Sequence, residues 1–237
     1  QINRIEQRLN GFSQNIQKTG SDIDNLFKQA AVSAASFFSI QAASNFVSSL
    51  VQVRGEFQQI EVAFTTMLRS KSAADKLMAE AVQLAAITPF TLQDVASGAK
   101  QLLAYGFAAK DVTSTLTMLG NVAAGVGATL NDIVYLYGTL QTQGRAYTRD
   151  IIQFTTRGIP IVDQLAKQFG VTKDQVNTLV EAGKVGFPEV QKAFQSLTGA
   201  GGIFFNLMQE QSKTLTGQLS NLQDAWSRML NDLGKSK

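Results

Sequence analysis

The chain of 237 residues contains no cysteine and no histidine, and it has only three prolines, one tryptophan and four tyrosines. Without cysteine there are no disulfides and no thiolate chemistry. Without histidine the commonest metal ligand and general base are gone. Charge is sparse as well: 16% of residues are Asp, Glu, Lys or Arg, and 21 basic residues scattered among 18 acidic ones leave a net +3. A nucleic-acid binder concentrates its cations on one stripe, so no nucleic-acid partner is expected. The densest basic group is Arg145, Arg149 and Arg157, interrupted by Asp150, and it reads as a solvated helix face. The start QINRIEQRLNGF lacks the apolar core of a signal peptide. Both ends read as helices in mid-course, so a segment of a longer protein is expected.

What is abundant is helix-forming. Alanine, leucine, glutamine and serine are frequent, and the 44% hydrophobic content is enough for a core. Ile2, Ile5, Leu9, Phe12 and Ile16 are spaced 3, 4, 3, 4, and the register continues to Ile23 and Leu26. That is an a/d seam near the minimum for a coiled coil, weakened by Gly11 and Gly20. The alternative is an ordinary amphipathic helix packed on its own domain. A second seam, Leu215, Leu219, Leu222, Trp226, Met229 and Leu233, is spaced 4, 3, 4, 3, 4. Both are candidate helix-packing or oligomer interfaces. Residues 29–53 carry no charge, but six serines together with Gln29, Gln41, Asn45 and Gln52 make the stretch too polar for a membrane span, and a buried or interhelical helix is expected.

Between the seams, short amphipathic helices alternate with punctuation. One helix continues from Glu56 through Leu68, and the next runs from Ala73 until Thr88-Pro89-Phe90, where proline disfavours helix in the residue before it. Thr91 and Asp94 form a capping box for Leu92–Tyr105, which Gly106 ends. Helices over Asp111–Gly120 and Leu130–Leu140 are expected on either side of a flexible Gly125-Val126-Gly127. Four shorter helices follow, begun or broken at Thr148, Gly158-Ile159-Pro160, Gly170, Thr172, Gly183 and Gly186-Phe187-Pro188. Pro160 and Pro188 are each expected in a first helical turn. No alternation is long enough for a strand. The expected fold is all-α, a compact multi-helix domain with long amphipathic, coiled-coil-like helices at both ends. The expected division is 1–56, 57–210 and 211–237.

Chemistry has little to work with. A pair of carboxylates is the remaining acid–base device, and Glu181 and Glu189, flanking a glycine loop, are the candidates. Gly125-Val126-Gly127 and Ala200-Gly201-Gly202-Ile203 lack the remaining residues of a nucleotide loop. No cofactor, no metal and no catalytic residue is assigned.

The order of landmarks is more specific than any one of them. Ile87-Thr88-Pro89-Phe90, Leu103-Ala104-Tyr105-Gly106, Gly144-Arg145, Gln153-Phe154, Arg157-Gly158-Ile159-Pro160, Leu165-Ala166, Gly170, Ala182-Gly183-Lys184-Val185, Thr198 to Phe204, and Lys213-Thr214-Leu215-Thr216-Gly217 with Ser220-Asn221-Leu222 follow one another. From about Phe57 to Asp232 this resembles the N-terminal domain of phage tail tape measure proteins. The resemblance implies a non-enzymatic structural protein of a phage or prophage tail, involved in tail assembly and length determination. It implies tail tube, baseplate or tail chaperone proteins as partners, with a homo-oligomer through the heptad helices in reach. It places the protein in the tail interior, and in the bacterial cytoplasm during assembly. As one helix the segment would span only about 350 Å, and its glycine breaks argue for a compact knot instead. A carboxylate-based, muramidase-like cell-wall-degrading tail domain is the alternative.

Overall fold

Helix starts in this chain are written by a repeated device: a residue three positions into the helix reaches back to the amide of the capping residue. In the computed structural model, which describes residues 55–214, 224–229 and 231–232, this occurs four times. Asp94 accepts from the Thr91 amide at 3.1 Å while Thr91 Oγ1 accepts from the Asp94 amide at 3.2 Å, the reciprocal box expected ahead of Leu92. Asp150 takes the Tyr147 amide at 2.9 Å, Gln175 that of Thr172 at 3.0 Å, and Glu189 that of Gly186 at 2.8 Å. The acids among them also face the positive end of the helix dipole.

These starts produce an all-α fold. The elements are α1 (55–68), α2 (Lys71–Ala86), α3 (Leu92–Ala104), α4 (Ala109–Val126), α5 (Leu130–Gln143), α6 (Thr148–Thr156), α7 (Ile161–Phe169), α8 (Lys173–Glu181), α9 (Phe187–Thr198) and α10 (Leu207–Ser212), with further helix at 224–229. Among the described residues the only extended pairing is one isolated antiparallel bridge, Arg145 with Gly186. The N-terminal seam Ile2, Ile5, Leu9, Phe12 and Ile16, the uncharged stretch 29–53, and Leu215, Leu219, Leu222 and Leu233 lie outside the described residues.

The longest of the described helices, α4, is the hub: α2, α3, α5, α9 and α10 all pack on it. Val112, Leu116, Leu119, Val122 and Ala123 recur every three or four residues along it and are fully or almost fully buried. Here the structure corrects the sequence reading. Gly120 and Gly125 do not end or loosen the helix; both lie inside it, and the left-handed turn comes at Gly127 (φ 69°). The two glycines are there for clearance. A Cβ on Gly120 would sit 2.5 Å from Met208 Sδ, and one on Gly125 would run into the Phe204 ring. The segment 204–208 therefore lies directly on the α4 backbone. Asn121 Oδ1, buried, accepts from the Met208 amide at 3.0 Å, and Gln211 donates to the Ala124 carbonyl at 2.8 Å.

A chain of aromatic contacts joins the helices before and after residue 144. Tyr137 of α5 packs against Phe107 (ring centroids 5.9 Å apart), Phe187 (5.0 Å) and Phe194 (5.1 Å), and Phe194 packs edge-on to Phe154 of α6 (5.3 Å). Each such pair adds about 0.5–1.5 kcal/mol beyond the area it buries. Burial pushes the Tyr137 phenol above its ordinary range. The Gln191 side chain pulls it partly back, although it makes no hydrogen bond of good geometry to the hydroxyl.

Pro188 falls in the first turn of α9, as expected. Pro160 falls one residue outside α7, as its cap. The Ile161 amide donates to the Ile159 carbonyl at 2.7 Å around Pro160 at φ −79°, ψ 53°, the geometry of an inverse γ-turn. The proline ring presets that φ, and the turn aims the chain into the helix.

Candidate binding surfaces

Three features of the surface could carry function. The first is what is described of the C-terminal seam. Trp226 is 40% exposed and Met229 is partly buried. Two positions before Trp226, Asp224 is buried, and its Oδ1 accepts from the Leu92 amide at 3.4 Å across 132 positions of sequence. Leu92 is the first residue of α3, so Asp224 fills a donor that the Thr91–Asp94 box leaves open. Burial raises the Asp224 carboxyl above its ordinary value of 3.8. The Leu92 hydrogen bond and Arg228 oppose the rise, and Asp94 adds to it. Its second oxygen has no partner. The seam's spacing was legible in sequence; this cap, which depends on a contact across the fold, was not.

The second feature is the corner between α5 and α6. The loop Gly144–Tyr147 lies against the loop before α9: the Ala146 amide donates to the Val185 carbonyl at 2.9 Å, and Phe187 returns a bond to the Gly144 carbonyl at 3.2 Å. This clasp lifts Arg145 out of the helix face on which the sequence reading placed it. The Arg145 guanidinium stacks on the Tyr147 ring at 4.5 Å, and Arg149 approaches the same ring at 5.5 Å. Gly183 leaves room for Arg145: a Cβ there would stand 3.2 Å from its Nη1, and the glycine holds a left-handed φ of 70°. Arg157 is a separate group, at the far end of α6, donating to the Gln153 carbonyl at 3.0 Å. Beside Arg149 lies a shallow cleft of about 250 Å³ lined by Tyr135, Gln143, Asp150 and Gln153 among others.

The third feature is negative. Glu189 is engaged as the α9 cap and Glu181 is exposed in the last turn of α8. Among the described residues there is no group of acidic side chains placed to hold a metal ion, and no helix long and apolar enough to cross a membrane.

The fold defines an all-helical domain in which Asp94, Asp150 and Glu189 serve as helix caps. A family model described as Tape measure protein matches residues 48–235, about four-fifths of the chain, which therefore belongs to the tape measure protein family. It is a structural segment of a phage tail protein involved in tail assembly and length determination. The match opens ahead of Phe57, where the resemblance read from the sequence begins, and closes beyond Asp232. Comparison with curated proteins and with solved structures returned no match.

Proposed function

We propose that this segment works by binding other tail components and catalyses no reaction. The observation that carries this is the use made of the polar groups: Asp94, Asp150 and Glu189 are engaged at helix starts, and family membership makes the parent a structural tail protein. In this reading residues 57–210 form the folded assembly module. Residues 1–56 are a helical extension, and 211–237 lead out of the module. The seams Ile2, Ile5, Leu9, Phe12, Ile16 and Leu215, Leu219, Leu222, Trp226, Met229, Leu233 are its packing faces, against each other or against copies in an oligomer. Left in water, each large apolar side chain would forgo about 1.5–3 kcal/mol. The direct partners are tail tube, baseplate or tail chaperone proteins, met in the bacterial cytoplasm while the tail is built.

Two measurements test this. Light scattering on the purified chain is expected to show an oligomer, or a monomer with slow amide exchange in both seams. A strict monomer with fast exchange at both ends contradicts the packing role. A cell-wall zymogram is expected to stay blank. Hydrolysis that disappears in Glu181→Gln or Glu189→Gln would establish the muramidase-like alternative.

A further inference from the structure

The α5–α6 corner is built as a contact surface, and its chemistry selects a partner. Three of the large apolar or aromatic side chains left exposed sit here: Tyr135 at 57%, Ile152 at 53% and Tyr147 at 42%. Arg149 and Ile152 are three apart on α6 and share a face. Tyrosine and arginine are the residues that most often anchor protein interfaces. The charge is unbalanced. Among the described residues Arg145 has no carboxylate partner, and its buried Nε has no acceptor at all. Arg149 meets Asp150 through Nε at 3.5 Å, but Asp150 is shared: its other oxygen already takes the Tyr147 amide. Two guanidiniums thus face one carboxylate, that of Asp150, which also serves the Tyr147 amide. Arg149, its side chain 71% exposed, stays open to a carboxylate fork, while Arg145, stacked on Tyr147 with Nε buried, can meet a carboxylate only through its Nη groups.

The geometry points to this corner as the docking surface for an acidic segment of another tail protein. Carboxylates of the partner would be forked by Arg145 and Arg149, and an apolar residue between them would pack on Tyr147 and Ile152. A nucleic-acid strand fits less well. It needs many cations to replace its counterions, whereas only two converge here, next to exposed apolar side chains. This inference rests on the reading of the segment as a tail-binding module and names the chemistry of one partner.

The test uses the whole tape measure protein in cells making tails. A photo-crosslinking amino acid replaces Ile152, and the captured peptide is sequenced by mass spectrometry. The expected product is a peptide of another tail protein carrying Asp or Glu beside an apolar residue. Its yield should fall about tenfold in Arg149→Glu, a change at a side chain 71% exposed, with an unchanged melting curve. Lys71→Glu, the same charge change on α2, should leave the yield alone. Reversing the captured acid to lysine should restore the yield in Arg149→Glu. A neutral or basic peptide, a nucleic-acid adduct, or no adduct overturns the docking surface. If tails nevertheless fail when the segment is deleted, the tail-binding reading survives that result; if tails form normally without the segment, the reading falls with it.

Discussion

Single residues in this domain do most of their work through what they leave out. Gly138, inside α5, has the Tyr105 ring pressed against its backbone, so that a Cβ would collide with the ring near its base rather than at a flexible end. Gly138→Ala would gain helix propensity in an isolated peptide, worth up to about 1 kcal/mol. In the folded domain the overpacking wins, at about 1–3 kcal/mol. The expected outcome is a lower midpoint in urea unfolding, largely recovered when Tyr105 is shortened to leucine in the same chain. A Gly138→Ala variant as stable as the parent would show that the ring moves freely. Sequence reading could not separate such glycines from helix-ending ones. Gly127 and Gly170 end helices and were legible as punctuation, while Gly120 and Gly125 are the same letter used for clearance.

Elements were legible where their signals are local. Thr91 with Asp94, proline at 188 and glycine at 170 fix helix ends by contacts within one turn, and those ends fall where the spacing put them. What could not be read from the sequence depends on distant partners. Gly120 sits inside α4 with Met208, 88 positions on, packed where its Cβ would be, and the α3 start gains a further acceptor from Asp224. The second case yields a pH dependence. Asp224 binds its proton more tightly when docked, because burial opposes the charge and Asp94 adds repulsion, against Leu92 and Arg228. A raised carboxyl pKa favours the docked state fully below the ordinary value of 3.8, and the benefit is lost as pH rises through the higher docked value. Amide exchange at Leu92, corrected for the intrinsic rate, should therefore slow on acidification into that window. In Asp224→Asn the change should disappear. Exchange that speeds up on acidification in the parent and not in Asp224→Asn would reverse the sign of the argument.

At the scale of the molecule, the described helices fold back on one another around α4 instead of running end to end. Residues 55–214 drawn out as one helix would cover about 240 Å at 1.5 Å per residue. Folded, they cannot serve as that length of ruler. We propose that this segment belongs to the assembly machinery of the tape measure protein and not to its measured length. Electron microscopy of tails after in-frame deletion of residues 55–214 from the full-length protein tests it most directly. Tails are then expected to be missing or malformed. Intact, uniform tails shortened by about 240 Å would contradict it, as would intact tails of unchanged length.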